Sequence, residues 1–477
     1  MTKINRTNKE LEQVNKKYCR IILTDDLPSW HRLVETKGGQ LEYRMGIGKK
    51  KEMTVRAYRT LIRSIVQTAK SHQLDNIALE INVKGSPQLE NMGTEWTHRT
   101  VSENLQLAQY EFNKYKTEEK DKVELKEILV CGKMTASEKK AFEAGLIIGE
   151  GANFTRDISN TSGDDMTPSL LAKAAQTALK GTKAKVITLD IKAIKKLEMG
   201  LLEAVGKGAS DSSRFIIVEY WGLGKPNKSD VEKKPVVLIG KGITYDSGGL
   251  NVKPSGSMHD MHMDMSGGGA VIGTMRAIAK LGLKKNVVGL IPTAENAISA
   301  ESMRAGDIAT SMSGLTVEIM HTDAEGRMVL ADAITYAQKF YSPSVMLDAA
   351  TLTGASLSAL GQHTSAILTK DENLQRILQE LGEESGDLMW PLPLWDEYNE
   401  ILKSTRADIC NIAHNFSRWG GCIEGGAFLS FFADKKIPWA HLDIAPRMES
   451  IATDKLAKGA TGEPVRLLVS FVQQWKG

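Results

Sequence analysis

Cysteine is scarce in this chain. The four in 477 residues, Cys19, Cys131, Cys410 and Cys422, are scattered, and no two form a C-x-x-C pair. That argues against a disulfide framework and against a thiolate zinc site. Long apolar runs are also missing: no stretch approaches the roughly 18 apolar residues a membrane-spanning helix needs. The opening MTKINRTNKELEQ is polar and lacks the apolar core of a signal peptide. The expectation is therefore a reducing, cytoplasmic location with no membrane contact. A dominant charge sign is absent too, since 61 Lys and Arg against 58 Asp and Glu leave only +3. Non-specific nucleic-acid binding rests on many phosphate contacts, so this balance gives it little support. Lys49 to Lys51 and Lys114 to Lys122 read as solvated faces, the second offset by Glu118, Glu119 and Asp121.

What is present is ordinary globular material, 42% hydrophobic and 25% charged, in a chain long enough for two or three domains. Strand-like and helix-like patterns alternate. NIALEINV at 76–83 reads as a strand, 97–116 carries apolar residues at helical spacing, 124–132 reads as another strand, and a helix is expected from Thr135 to about Asn153. RDISNTSGDDMTP at 156–168 is polar and rich in turn formers. It ends in a helix start, with Thr167 as cap and Pro168 at the first helical position. The expected organisation is two α/β domains: an N-terminal one at 1–155 and a C-terminal catalytic one at 156–477. In the second, AKVITLDI, RFIIVEYW, PVVLIGKG, NVVGLIP, SVMLDAATL and PWAHLDIA are strongly apolar runs. Such runs suit a mostly parallel, helix-flanked mixed sheet, whose ligands gather at the carboxyl ends of its strands.

The polar residues lie at those ends. PVVLIGKGITYDSGGL brings Lys241 and Asp246, with Lys253 a few residues on. Asp264 stands just before Gly267 to Gly269 and an apolar helix. Asp323, Glu325 and Arg327 alternate after a short strand. On an extended segment alternate side chains point the same way, so two carboxylates and a guanidinium are expected to project into one cavity before a helix that starts near Met328. Clustered carboxylates repel, and divalent cations neutralise them. Two cations about 3.5–4 Å apart on shared carboxylates activate a water and polarise a carbonyl, and oxygen ligands suit Mg, Mn or Zn. The plainer alternatives stay open on spacing alone. Asp323 could serve a helix dipole, Arg327 and Lys241 could be ion-pair residues, and the glycine run could cradle a phosphate. His259 and His262 read as loop or packing residues.

Taken together these segments resemble the leucyl aminopeptidase family, the M17 or cytosol aminopeptidase family. VVLIGKGITYDSGGLNVKP, MDMSGGGAV, AGDIATSMSGLTVEI, TDAEGRMVLADA, DAATLTGA, PWAHLDIA and KGATGEPVRLL occur in order, and NTSGDDMTP resembles the opening of the catalytic domain. The resemblance implies two divalent cations, Mn or Zn. One would be held by Lys241, Asp246, Asp264 and Glu325. Asp246, Asp323 and Glu325 would hold the other, so that Asp246 and Glu325 bridge. It implies Lys253 as stabiliser of the gem-diolate and Arg327 as anchor of a bicarbonate acting as general base. It also implies a pocket that includes Met261, His321, Thr351, Leu352, Gly354 and Met448. Peptides with a free N-terminus would be the substrates, and the assembly a homohexamer.

Departures from the family pattern cluster near the pocket. His321 replaces an Asn, Pro446 and Arg447 replace small residues, and AHNFSRWGGCIEGGAF at 413–428 brings Trp419, Cys422 and Glu424 into a segment the family keeps small and Gly-rich. A leucine-like preference, a broad one, and a narrower dipeptidase acting on cysteinylglycine are therefore all open. Some members of this family bind DNA, which is a further alternative.

Overall fold

The β-branched runs become the strands of two large sheets. The computed structural model describes residues 2–28, 30–117, 125–227, 230–417 and 419–476. The Lys114–Lys122 reading thus falls partly outside the described residues. Two compact units are present: residues 1–153 with 450–458, and residues 154–449 with 459–477.

The first unit holds strands β1 (Lys3–Arg6), β2 (Cys19–Thr24), β3 (His31–Glu35), β4 (Leu41–Gly46), β5 (Asn76–Glu80) and β6 (Glu127–Cys131), in the order β1-β6-β5-β2-β4-β3. Only β3 runs antiparallel to its neighbour. Helices α1 (Val55–Ser71), α2 (Pro87–Met92) and α3 (Thr94–Gln109) flank the sheet. Helix α1 starts at Thr54, whose hydroxyl accepts the Ala57 N–H at 3.1 Å. It buries Ile62, Ile65, Val66 and Ala69 with Val101, Leu105 and Ala108 of α3 in one apolar core. The helical spacing read at 97–116 overran the helix, which stops at Gln109, before Tyr110 turns to extended backbone.

Helix α4 (Ala136–Ser159) continues past the polar stretch where the sequence suggested a boundary. Its last turn is not a loop because its polar side chains find buried partners. The Thr155 hydroxyl donates to the Gly269 carbonyl at 3.0 Å, and Arg156 Nε donates to the Ala460 carbonyl at 2.9 Å. Helix α5 (Pro168–Leu179) has Pro168 at its first position as expected, but Thr167 makes no side-chain cap. The Ser169 N–H donates to Asp211 instead, at 2.8 Å.

The remaining elements of the second unit are β7 (Lys185–Leu189), α6 (Ile191–Lys196), α7 (Gly200–Gly206), β8 (Arg214–Trp221), β9 (Val236–Gly240), β10 (Gly242–Asp246), α8 (Ser266–Leu281), β11 (Asn286–Asn296), β12 (Ile308–Thr310), β13 (Thr316–Glu318), α9 (Gly326–Tyr341), β14 (Val345–Ala350), α10 (Gly354–Leu360), β15 (Ser365–Leu368), α11 (Glu372–Ser385), β16 (Met389–Pro391), β17 (Ile409–Cys410), α12 (Gly421–Ser430), β18 (Trp439–Asp443) and α13 (Val465–Gln474). The main sheet runs β16-β15-β18-β14-β9-β11-β8-β7, with β10 also paired to β11. Strands β18, β14, β9 and β11 form a parallel centre, whereas β8 pairs antiparallel with both β11 and β7. The fold is α/β, with a mixed sheet parallel at its middle. One apolar core, including Val237, Ile239, Met328 and Phe428, lies on one face. Another, including Leu238, Val271, Leu347 and Leu468, lies on the other.

Glycines 267 to 269 explain how α8 reaches the sheet. A Cβ on Gly267 would stand 2.1 Å from the Ala349 carbonyl oxygen, and one on Gly240 2.4 Å from that of Gly267. The run permits close helix–strand contact, sealed by the Gly268 N–H donating to the Lys241 carbonyl at 2.7 Å. A phosphate is not needed to account for it. In α9, the buried Asp332 accepts the N–H groups of Leu201, Leu202 and Met312 at 3.0, 2.9 and 2.8 Å. It thereby ties the helix that follows Glu325 to α7.

Candidate metal centre

The parallel strands β9 and β14 end side by side, β10 runs on beside the last residues of β11, and each of the four delivers a polar group at or just past its end. Lys241 follows β9, Asp246 ends β10, Asn296 ends β11 and Thr351 follows β14. β10 pairs with β11 only through an irregular register, Ile243 against Ala294 and then Asp246 against Asn296. That irregularity turns Asp246 toward Asn296, whose side-chain N–H donates to Asp246 Oδ1 at 2.8 Å and to the Thr322 carbonyl at 3.0 Å. The Gly248 N–H also donates to Asp246 Oδ1, at 2.9 Å.

Asp323, Glu325 and Arg327 do not lie on an extended segment. α9 begins at Gly326, so Glu325 is already helical in its backbone and Arg327 belongs to the first turn. Nevertheless Asp246, Asp323 and Glu325 each offer an oxygen within 4.8 Å of the others, with Asp246 and Glu325 buried. Asp264 joins this group through Lys241, whose Nζ lies 2.8 Å from Asp264 Oδ2, 2.8 Å from Glu325 Oε1 and 3.0 Å from the Thr351 carbonyl oxygen. Lys253 Nζ lies 2.8 Å from Asp246 Oδ2 and 2.5 Å from Asp323 Oδ1. The Thr351 hydroxyl donates to Asp264 Oδ1 at 2.7 Å.

Four carboxylates thus face two ammoniums, which leaves two negative charges unbalanced. Burial pushes the Asp264 carboxyl up to about 8, with Glu325 and Asp246 adding to the rise against the pull of Lys241. Burial, then Asp246 and Glu325, raises Asp323 to about 7. Glu325 rises for the same reasons. Burial alone would lower Lys241 and Lys253, but the surrounding carboxylates outweigh it and hold both ammoniums above their ordinary range. Lys241 is therefore an ammonium here, hydrogen-bonded to the Thr351 carbonyl and ion-paired with Asp264 and Glu325, and it becomes a neutral ligand only where a cation displaces its proton.

The residues present fit a pair of divalent cations. Asp264 Oδ2, Asp323 Oδ1 and Glu325 Oε1 are buried and receive no hydrogen bond of good geometry, having only lysine ammoniums at ion-pair distance. Hard oxygen donors of this kind suit Mn, Mg or Zn. Gly326 shows how closely the group is built. A Cβ there would stand 2.7 Å from Lys241 Cε and Nζ, so the glycine of T-D-A-E-G-R exists to admit the lysine.

Arg327 turns away from the carboxylates. Its Nη1 donates to the Asn411 carbonyl at 2.8 Å and to Glu424 Oε1 at 3.0 Å, with both side chains buried. The expected convergence of Arg327 with Asp323 and Glu325 in one cavity is corrected to that extent, because the helical turn at Gly326 rotates the guanidinium toward α12. Of the pocket residues, His321 Nδ1 accepts the Asp323 N–H at 3.3 Å. Burial, then Lys253 and Arg327, lowers its pKa. Thr351 contacts Asp264 as above, and the Leu352 N–H donates to Asp443 at 3.2 Å. Gly354 opens α10 in an exposed position, and Met261 and Met448 are half-buried on flanking turns. His259 is exposed and His262 half-buried, and neither belongs to the carboxylate group.

Two residues went unread in the sequence. Asn296 orients Asp246. Asn411 holds the T-D-A-E-G-R loop by accepting the N–H groups of Met320 and His321 at 2.8 and 3.3 Å and donating to the His321 carbonyl at 2.7 Å. The only signal for Asn296 was its place four residues beyond NVVGLIP, a run that the structure extends as β11 to Asn296 itself.

Comparison with known proteins agrees with this architecture. Residues 153–469 match the family model described as the cytosol aminopeptidase family, catalytic domain, and residues 43–119 match that of its N-terminal domain. A probable cytosol aminopeptidase of Histophilus somni (strain 2336) is 37% identical over 467 residues, which is 97% of this chain and 90% of that one. One of Aromatoleum aromaticum is 41% identical over 433 residues, 90% of this chain and 83% of that one. The solved structure of the bottromycin maturation enzyme BotP in complex with Mn has a TM-score of 0.84 at 29% identity, covering 96% of this chain and 98% of that one.

Proposed function

The chain belongs to the cytosol aminopeptidase family, and from that premise we propose that it is a two-metal aminopeptidase removing the N-terminal residue of peptides that carry a free α-amine. The observation that carries this reading is the group of Asp246, Asp323 and Glu325, each with an oxygen within 4.8 Å of the others and the first and last buried, with Lys241, Asp264 and Lys253 packed onto it. Asp246, Asp323 and Glu325 would hold one cation, and Lys241, Asp246, Asp264 and Glu325 the other. The Mn named with BotP supports Mn, and Zn fits the same donors. When bound, such cations supply a water of lowered pKa, an electrophilic pull on the scissile carbonyl and an anchor for a free amine.

The chain's own residues do the rest. Asn296 and the Gly248 N–H fix the direction of Asp246, and Thr351 fixes that of Asp264; partners of this kind hold ligands in place. Lys253 is a half-buried ammonium beside Asp246 and Asp323, placed to stabilise the oxyanion that forms as the carbonyl is attacked. His321, with its lowered pKa, presents a neutral ring beside Asp323. A cytoplasmic location and a homohexamer complete the proposal, supported by the family resemblance.

A pair of substrates tests it. Leucine p-nitroanilide is expected to be hydrolysed and its N-acetylated form to be refused, because acetylation removes the amine. Equal hydrolysis of both would contradict an aminopeptidase. In the same assay a panel of aminoacyl anilides with cysteinylglycine separates a broad or leucine-like preference from a dipeptidase.

A further inference from the structure

We infer that the buried Arg447–Glu463 ion pair is a brace that sets the width of the pocket for the substrate's N-terminal side chain, so that this pair selects apolar residues of limited size. The inference deepens the aminopeptidase reading and rests on it. Two turns meet beside the carboxylate group. One, Thr351–Gly354, follows β14 and starts at the residue whose hydroxyl holds Asp264 and whose carbonyl faces Lys241. The other, Ile444–Met448, follows β18, and its Ile444 N–H donates to the Ala350 carbonyl at 2.8 Å. Asp443 laces the two together. Its Oδ1 accepts the N–H groups of Leu352 and Ala445, each at 3.2 Å, and its Oδ2 accepts the Thr353 hydroxyl at 2.7 Å. Leu352 and Met448 are half-buried on these turns, and Gly354 is exposed. They offer apolar surface to a peptide whose amine and scissile carbonyl sit at the carboxylates.

Asp443 fixes one end of the second turn, and Arg447 fixes the other. Arg447 is buried. Its Nε and Nη2 donate to Glu463 Oε1 at 3.0 and 2.9 Å, while Nη1 donates to the Gln362 carbonyl at 2.6 Å. Gln362 lies two residues past α10, the helix that Gly354 opens. One guanidinium thus ties the turn both to the far end of α10 and to the segment that leads into α13. That segment grips the backbone as well: the Thr461 hydroxyl donates to the Arg447 carbonyl at 2.5 Å, and the Thr461 N–H to the Met448 carbonyl at 3.3 Å. Met448 directly follows the clamped arginine, so these bonds set its place relative to Leu352. The one charge on the Ile444–Met448 turn is buried and neutralised by Glu463. The wall therefore presents Leu352 and Met448 and no open ion, which favours an apolar side chain. Buried ion pairs are weak contributors to stability, since well-packed apolar residues often replace them without loss. What the pair supplies is geometry, and Arg447 stands where the family keeps a small residue for that reason. Arg447 and Glu463 act through Met448 and are positioning residues.

The test uses the full-length protein loaded with Mn, the p-nitroanilides of leucine and phenylalanine, metal analysis and thermal unfolding. Arg447→Met combined with Glu463→Met removes both charges and the brace together, and this double variant is expected to fold and to take up metal as the wild type does. The wild type is expected to favour leucine. The double variant is expected to raise kcat/KM for phenylalanine relative to leucine by about tenfold or more, the scale on which an apolar pocket reads one methylene. The change is expected in KM rather than in kcat, because the groups proposed to hold the metals are untouched. A purely structural role would lower both substrates together and leave their ratio alone. Glu463→Gln, whose amide oxygen can still accept both Arg447 donors, is expected to retain most of the wild-type ratio. The brace is overturned by a wild type that favours phenylalanine, by an unchanged ratio in the double variant, or by a double variant that does not fold. It is equally overturned if Glu463→Gln shifts the ratio as far as the double variant does. In each of these cases the wild type still hydrolyses an anilide and the aminopeptidase reading stands. A wild type that hydrolyses neither anilide overturns that reading and the brace with it, so the two failures are distinguishable.

Discussion

Replacing Lys253 by alanine is expected to lower kcat for leucine p-nitroanilide by about 100- to 1,000-fold while the protein still takes up two equivalents of metal. The magnitude is that of removing one preorganised donor from a developing oxyanion. The separation of the two readouts follows from the geometry. Lys253 Nζ touches Asp246 Oδ2 and Asp323 Oδ1, but those carboxylates are positioned by other groups: Asn296 and the Gly248 N–H for Asp246, and the His321-to-Glu325 loop with its Asn411 clamp for Asp323. Removing the ammonium leaves the acids in place and takes away a competing positive charge, so cation affinity is expected to hold or rise. The lysine's own position comes from the Ser247–Lys253 loop, closed by the Lys253 N–H donating to the Ser247 carbonyl at 3.0 Å. Gly248 is left-handed at φ +87° where a Cβ would meet the Asn251 carbonyl at 2.5 Å. Metal analysis beside steady-state kinetics checks the prediction. Loss of metal in step with turnover would mean that Lys253 builds the site and does not act within it.

The second large effect is expected from a single methyl group. In Gly326→Ala the new Cβ would stand 2.7 Å from Lys241 Cε and Nζ and 2.8 Å from its Cδ. A flexible lysine tail on the surface would move aside at little cost. This one is buried and held by Asp264, Glu325 and the Thr351 carbonyl, in an interior packed too densely to yield an ångström freely. Any shift of Nζ breaks those contacts and moves the group proposed as a ligand. The expected result is a 10- to 100-fold weaker apparent affinity for one of the two cations, in the range seen when a metal site loses its support, with activity recovered partly at high metal concentration. Calorimetric titration of the metal-free variant reads this directly. Unchanged affinity for both cations would remove Lys241 from the ligand set.

The chemistry-bearing positions were legible in the sequence because a parallel sheet concentrates them at strand ends. Lys241 after VVLIG, Asp246 after GITY and Asp323 and Glu325 in T-D-A-E-G-R could be singled out before any fold was known. What could not be read were relations between distant segments. Asn296 is 50 residues from the Asp246 it orients, and only the pairing of β10 with β11 brings them together. Asn411 lies 84 residues from Arg327, in a stretch without any motif. Alternation was a poor guide to Asp323, Glu325 and Arg327, because a helix that begins at Gly326 replaces a two-residue period with a rotation of about 100° per residue and sends the arginine to Glu424. Strand direction was equally hidden. RFIIVEYW is buried along nearly its whole length, and such a run looks the same whether its neighbours are parallel or, as here, antiparallel. The polar stretch after Phe154 resembled a linker because the partners that bury Thr155 and Arg156 lie more than a hundred residues away.

The most direct test of the central claim is a metal titration of exhaustively chelated protein, following hydrolysis of leucine p-nitroanilide as Mn or Zn is returned. Two buried cation sites sharing Asp246 and Glu325 predict no turnover in the metal-free protein and full recovery only as the second equivalent per chain binds. Full activity after metal removal, or recovery complete at one equivalent, would contradict a two-metal site.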